Sequence, residues 1–113
     1  NDEGWENTFA PYLQTSNLNS KDLIFIFSVG GGNKKKKVSV NLIMAIDYAK
    51  KKGSKILGVI GKSDGYAKKS SNKVFVIPEV DKRMITPFSE AFQAVVWHCL
   101  VSHPLLQKNK TKW

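Results

Sequence analysis

Residues 22–46 read DLIFIFSVGGGNKKKKVSVNLIMAI. An apolar run ends in a serine and three glycines, passes four lysines, and restarts at helical spacing after Ser39. That order predicts a strand buried on both faces, a flexible cationic loop and the N-terminus of a helix. The geometry suits an anion. Glycines let backbone N–H groups come close to a ligand, a helix N-terminus offers donors and a positive dipole end, and Ser39 adds a hydroxyl.

At 113 residues the chain is one domain at most, large enough for a real core but small for a complete α/β enzyme. Its 42% hydrophobic content marks a globular chain rather than a disordered one. No apolar run approaches the roughly 18 to 20 residues that cross a bilayer, and the acidic, polar start is unlike a signal peptide. Cys99 is the single cysteine, so no internal disulfide forms and a cytoplasmic location is expected. Its apolar neighbours suit a small buried hydrophobe better than a catalytic thiol.

The net charge of +9 is carried by lysines grouped at 34–37, 50–52 and 68–69 and near the C-terminus. A positive field draws nucleic acid and phosphorylated metabolites alike, and a merely solvated lysine surface gives the same composition. Arg83 is the sole arginine and no aromatics interleave the lysine runs. Both facts disfavour nucleic acid, whose readers rely on bidentate arginines and stacking rings.

Along the chain, Trp5–Leu13 places Trp5, Phe9, Tyr12 and Leu13 on one helical face, with Asn1–Gly4 as its capping turn and Pro11 limiting its length. Leu23–Phe27 is a strand. Ser39 is the expected N-cap of a helix whose apolar stripe is Leu42, Ile43, Ile46 and Ala49, and Gly53 ends it. Ile56–Ile60 is a second strand, Gly61–Gly65 a turn, Tyr66–Ser70 a short helix and Val74–Ile77 a third strand. Thr86 and Pro87 open a long helix that runs to Ser102. Strands alternating with helices imply a doubly wound parallel layer, whose ligands sit beyond the carboxyl ends of the strands. Ser28, Gly61 and Pro78 mark those ends.

SVGGG closing a strand, VSVNLIMAIDYAKKKGSKILGVIGKSDG and TPFSEAFQAVVWHCLVSHPLL together resemble the sugar isomerase (SIS) domain, and within it the phosphoheptose (sedoheptulose 7-phosphate) isomerases. The opening NDEGWENTFAPYL is similar to the Asn-Asp segment of that family. The resemblance implies an α/β/α three-layer, flavodoxin-like fold with five parallel strands, of which this chain supplies three. It also implies that residues 1–113 are the C-terminal part of a single SIS domain. The family's first strand, its Gly-Asn-Gly-Gly-Ser loop and the following helix with a catalytic glutamate and a metal-binding histidine have no counterpart here.

Carried over by motif, Asn1 and Asp2 match the Asn-Asp pair beside the sugar phosphate. Ser28 matches the first serine of the Ser-Thr-Ser-Gly phosphate loop, Val29 and Gly30 replace the next two positions, and Ser39 takes the place of a further phosphate-contacting serine. The GGNKKK stretch is an insertion. On the long helix, Glu90 and His98 have the eight-residue spacing of the family's glutamine and histidine; an ungapped alignment puts Ser89 and Trp97 there instead. Eight residues turn a helix by about 80°, so both side chains of such a pair can border one cleft. Glu90 and His98 are preferred because carboxylate and imidazole serve as acid–base groups and metal ligands, zinc included. The resemblance thus implies a phosphorylated sugar as ligand and aldose–ketose isomerisation as chemistry, with this chain alone inactive; a non-catalytic sugar-phosphate sensor or protein-docking module is the alternative. An unpaired edge on the first strand predicts self-association into a homo-oligomer.

Overall fold

The computed structural model describes residues 4–110 and 112. Three parallel strands form one sheet: β1 (Leu23–Ser28), β2 (Lys55–Ile60) and β3 (Lys73–Val76), ordered β1-β2-β3. α2 (Val40–Lys51) links β1 to β2, and α3 (Tyr66–Ser70) links β2 to β3. Because the strands follow in sequence order, both crossovers travel the same way and put α2 and α3 on one face of the sheet. α4 (Ile85–Ser102) covers the other face, over β1 and β2. This is an α/β fold in three layers.

The pleat sorts β1 between the two layers. Ile24 pairs with Ile56 and Ile26 with Gly58, and this side meets α2; Phe25 pairs with Leu57 and Phe27 with Val59, and this side meets α4. The core centres on Ile26, Ile46, Ala49, Ile56, Ile60 and Ala67. Ile46, wholly buried at the middle of the α2 stripe, contributes roughly 1.5–3 kcal/mol by leaving water. α2 stops at Gly53, whose φ of 72° is the left-handed value that glycine adopts at no steric cost.

Two boundaries differ from the sequence expectation. The N-terminal segment is not one helix: a 3-10 turn at Trp5–Asn7 breaks at Thr8, and α1 runs from Phe9 to Thr15. The break shifts the helical phase, so Leu13 packs against the core while Trp5 and Tyr12 stay exposed. Pro11 falls in the first turn of α1, where its missing N–H leaves no intrahelical bond unmade. α4 begins at Ile85, because a 3-10 turn at Lys82–Met84 leads straight into it. Thr86 therefore lies inside α4, whose N-cap Met84 makes no side-chain capping bond, and it is the 3-10 turn that is capped, by the Asp81 carboxylate accepting from the Arg83 N–H at 2.9 Å.

Apolar surface remains open on both sides of β1. A groove of about 350 Å³ runs along its free edge between Phe9, Tyr12, Leu42 and the strand itself. On the other face Phe25, Phe27 and Leu57 meet Trp97, Leu100 and Leu106 around a second groove of about 380 Å³. Among the described residues no helix is long and apolar enough to cross a membrane.

Candidate functional site

Of the three carboxyl strand ends, those of β2 and β3 are covered. Ile85, Phe88 and Ser89, in the first turns of α4, close over Gly61, Ile77 and Pro78. The end of β1 runs into a glycine turn whose Gly31 and Gly32 are buried and whose Ser28 and Val29 carbonyls accept from the Gly61 N–H. The Ser28 Oγ accepts a hydrogen bond from the Gly31 N–H at 3.0 Å, which leaves the hydroxyl hydrogen to donate elsewhere. Gly31 and Gly32 take φ values of 69° and 78°. A side chain at Gly32 would meet Ile43 Cγ1 at 2.9 Å, so the loop lies directly on the first turns of α2. Gly30 is different: the position of a Cβ there has nothing within 4 Å. Beside Gly30 the loop borders open space.

Ser39 stands at the N-cap of α2, as expected, but with φ 51° and ψ 49°, and its side chain makes no capping bond. An N-cap normally has extended backbone so that its hydroxyl can reach the N2 or N3 amide. The left-handed Ser39 makes no capping bond with its exposed hydroxyl; instead the Asn41 Oδ1 in the first turn accepts from the Leu42 N–H at 2.8 Å. Lys37, two residues earlier, is also left-handed at φ 52°. Non-glycine residues in this region are strained and collect at functional loops.

A cavity of about 580 Å³ opens beside the start of α2, lined by Glu6, Lys34, Lys37, Val40 and Ile43. Ser28, Val29, Gly30 and Ser39 do not line it; they sit at the strand end and helix start next to it. The two lysines differ in state. The Lys34 Nζ lies 2.9 Å from Asp47 Oδ2 and 4.3 Å from the centre of the Tyr66 ring, and Tyr66 donates its hydroxyl proton to Asp47 Oδ1. These hydrogen bonds to Asp47 and Tyr66 raise the Lys34 pKa above the ordinary lysine value. At Asp47 partial burial pushes the carboxyl up, but the bonds from Tyr66 and Lys34 and nearby lysine charge outweigh it, and the group ends below the usual carboxylate range. Lys37 has no ion-pair partner among the described residues.

The remaining sequence candidates are dispersed. Asn1 and Asp2 lie outside the described residues. Glu90 and His98 are both exposed on α4, and the His98 ring stacks on Trp97 with centroids 3.8 Å apart. Of the alternative pair, Ser89 is buried, its hydroxyl donating to the Ile85 carbonyl at 2.5 Å, and Trp97 lines the groove over β1. Among the described residues no three His, Cys, Asp or Glu side chains group so as to hold a metal ion, so Glu90 and His98 lack the third protein ligand that a zinc centre uses. Sequence reasoning missed Glu6, Asp47 and Tyr66. No local motif announces them, because each reaches the loop from a separate element.

The chain matches no protein-family model and no curated protein. It is similar in structure to a protein from Listeria monocytogenes named as a "putative sugar-phosphate isomerase", with a TM-score of 0.54 and 23% identity. The match covers 90% of this chain and 55% of that one, so the chain spans little more than half of its structural neighbour. At this identity the likeness establishes a shared fold.

Proposed function

We propose that the chain is a SIS-type phosphosugar-binding domain whose anion site is the Ser28–Ser39 loop. The observation that carries this reading is the open space beside Gly30, in the loop that leads from the end of β1 to a helix whose N-cap serine makes no capping bond. A phosphate there meets the positive end of the α2 dipole and the hydroxyls of Ser28 and Ser39, while the Gly31 and Leu42 N–H groups are held by the Ser28 and Asn41 side chains. Lys37 supplies a full positive charge at the adjoining cavity. The structural neighbour, named as a sugar-phosphate isomerase, supports this ligand class.

The isomerase chemistry of the phosphoheptose type moves a proton between adjacent carbons and needs an acid–base pair at the sugar. His98 and Glu90 are our candidates for part of it, but both are exposed on α4 and neither lines the cavity beside α2. We therefore read the 113-residue chain as binding sugar phosphate without turning it over. Sedoheptulose 7-phosphate is expected to bind the purified chain, and no ketose-to-aldose conversion is expected in a coupled assay. Measurable turnover would refute the binding-only part, and absence of binding would refute the site itself. The exposed positions of Glu90 and His98 favour, as a second reading, a domain that senses the ligand and passes the signal to a partner.

Self-association belongs to the same proposal. The accessible surface is 8287 Å², whereas an isolated folded chain of 12.7 kDa is expected to expose about 6,200 Å². The excess coincides with apolar side chains: Phe92, Val95 and Val101 on α4 and Phe27 on β1 are each about half exposed. A second copy of the chain is the occupant that the charge pattern supports. Glu90 is the single formally charged side chain of α4 in a chain of net charge +9, so pairing through this helix keeps the lysine clusters of two copies apart.

A further inference from the structure

The lysine loop, residues 33–38, is a small hairpin. Asn33 and Val38 exchange backbone bonds of 2.9 and 3.0 Å, and the Asn33 Oδ1 accepts from the Lys36 N–H at 2.9 Å. Such bonds close the hairpin on itself but do not fix it to the rest of the fold. Lys34 does that. Its ammonium reaches Asp47 on α2 and the face of Tyr66 on α3, while the Tyr66 hydroxyl occupies the second oxygen of the same carboxylate. Tyr66 also works through its backbone: its N–H donates to the Gly32 carbonyl at 2.8 Å, and the next N–H, of Ala67, to the Gly31 carbonyl at 2.8 Å. One residue thus ties down both the glycine turn and the lysine hairpin.

We propose that Asp47 and Tyr66 are positioning residues for the anion site: they capture Lys34, anchor the hairpin over the start of α2, and so hold Lys37 at the cavity as the cation that meets a phosphorylated ligand. The two lysines that border the cavity therefore have separate tasks. Lys34 is spent on the clasp, its charge matched by Asp47. Lys37 stands on a left-handed residue with its charge unmatched among the described residues. A lysine on an untethered loop would have to be ordered by the ligand, at a cost in conformational entropy taken from affinity. The clasp orders it beforehand. This inference rests on the phosphate-site reading for its ligand, but the tethering stands on the contacts alone.

Two measurements on Asp47→Asn, Tyr66→Phe and Lys37→Ala keep the two ideas apart. Limited trypsin digestion after Lys35, Lys36 and Lys37 reads the tether without any ligand. Cleavage in Asp47→Asn and Tyr66→Phe is expected to be about two- to fivefold faster than in the parent chain, the range set by one surface pair's worth of local opening, whereas Lys37→Ala leaves cleavage after Lys35 unchanged. Calorimetric titration with sedoheptulose 7-phosphate then reads the site. Lys37→Ala is expected to weaken binding most, and the clasp variants to weaken it by a similar two- to fivefold, with melting temperatures lowered by no more than the loss of one surface ion pair allows. Asp47→Glu, which keeps the charge, is expected to restore part of both effects. Cleavage at the parental rate in both clasp variants overturns the proposal, whatever the titration shows. Faster cleavage with unaltered affinity also overturns it, since the tether would then not position Lys37. If the parent chain itself binds no sugar phosphate, the phosphate-site reading fails while the digestion still decides whether the tether exists.

Discussion

Gly30 and Gly65 face each other across the loop, and the same chemical change has opposite consequences at the two. A methyl group at residue 65 would lie 2.3 Å from the Gly30 carbonyl oxygen and 3.0 Å from Gly31 Cα. Both are backbone atoms, so the loop itself would have to move. Gly65→Ala is expected to cost about 1–3 kcal/mol, visible as a lower urea midpoint; an unchanged midpoint would mean that the loop is not packed this tightly. A second residue-scale expectation concerns pH. The Asp47 pKa is lowered in the folded chain, so its contribution is complete above the unfolded carboxylate value of about 4 and disappears as pH falls through the folded value. The Lys34 pKa is raised, so its contribution is complete below about 10.4 and disappears as pH rises through the folded value. The stability gap between the parent and Asp47→Asn is therefore expected to be flat from pH 5 to 9 and to close in acid; a gap that persists below the folded Asp47 pKa would contradict the clasp. Ser28, the glycines and Ser39 were legible in the sequence because their geometry is local. Asp47 and Tyr66 were not, because they stand 13 and 19 residues from their partners.

At the scale of elements, strands and the α2 helix were read with boundaries one residue off at most, since a continuous apolar run and a stripe closed by glycine depend on burial alone. Helix starts were harder. Ser39 has the composition of a capping residue but not the backbone, and Thr86-Pro87 falls inside a helix that a preceding 3-10 turn had already begun. The alignment of Glu90 and His98 turned on one residue of phase along α4; the helix buries Ser89 and turns Glu90 to solvent. What α4 does show is apolar character nearly all round, which in a stable protein calls for cover on more than one side. Sedimentation velocity is expected to find the chain self-associated, and Phe92→Lys with Val95→Glu to shift it toward monomer. A parent chain that sediments as a monomer at high concentration would contradict this use of α4.

The whole molecule is a three-stranded α/β layer with a radius of gyration of 15.1 Å, against about 13 Å for a compact domain of this size, and apolar surface on both sides of its edge strand. Fold class was legible because alternating strands and helices leave few parallel arrangements, whereas the site is assembled from elements distant in sequence and took shape only once they were packed. The central claim, that the loop leading from the end of β1 holds a phosphate, is tested most directly at Gly30, where a side chain has room and the backbone φ is not left-handed. Calorimetric titration of sedoheptulose 7-phosphate into the parent chain and Gly30→Leu, with thermal melts alongside, is the measurement. Binding by the parent, lost in Gly30→Leu at an unchanged melting temperature, is the expected result. Equal binding by both chains would show that the ligand sits elsewhere and contradict the assignment.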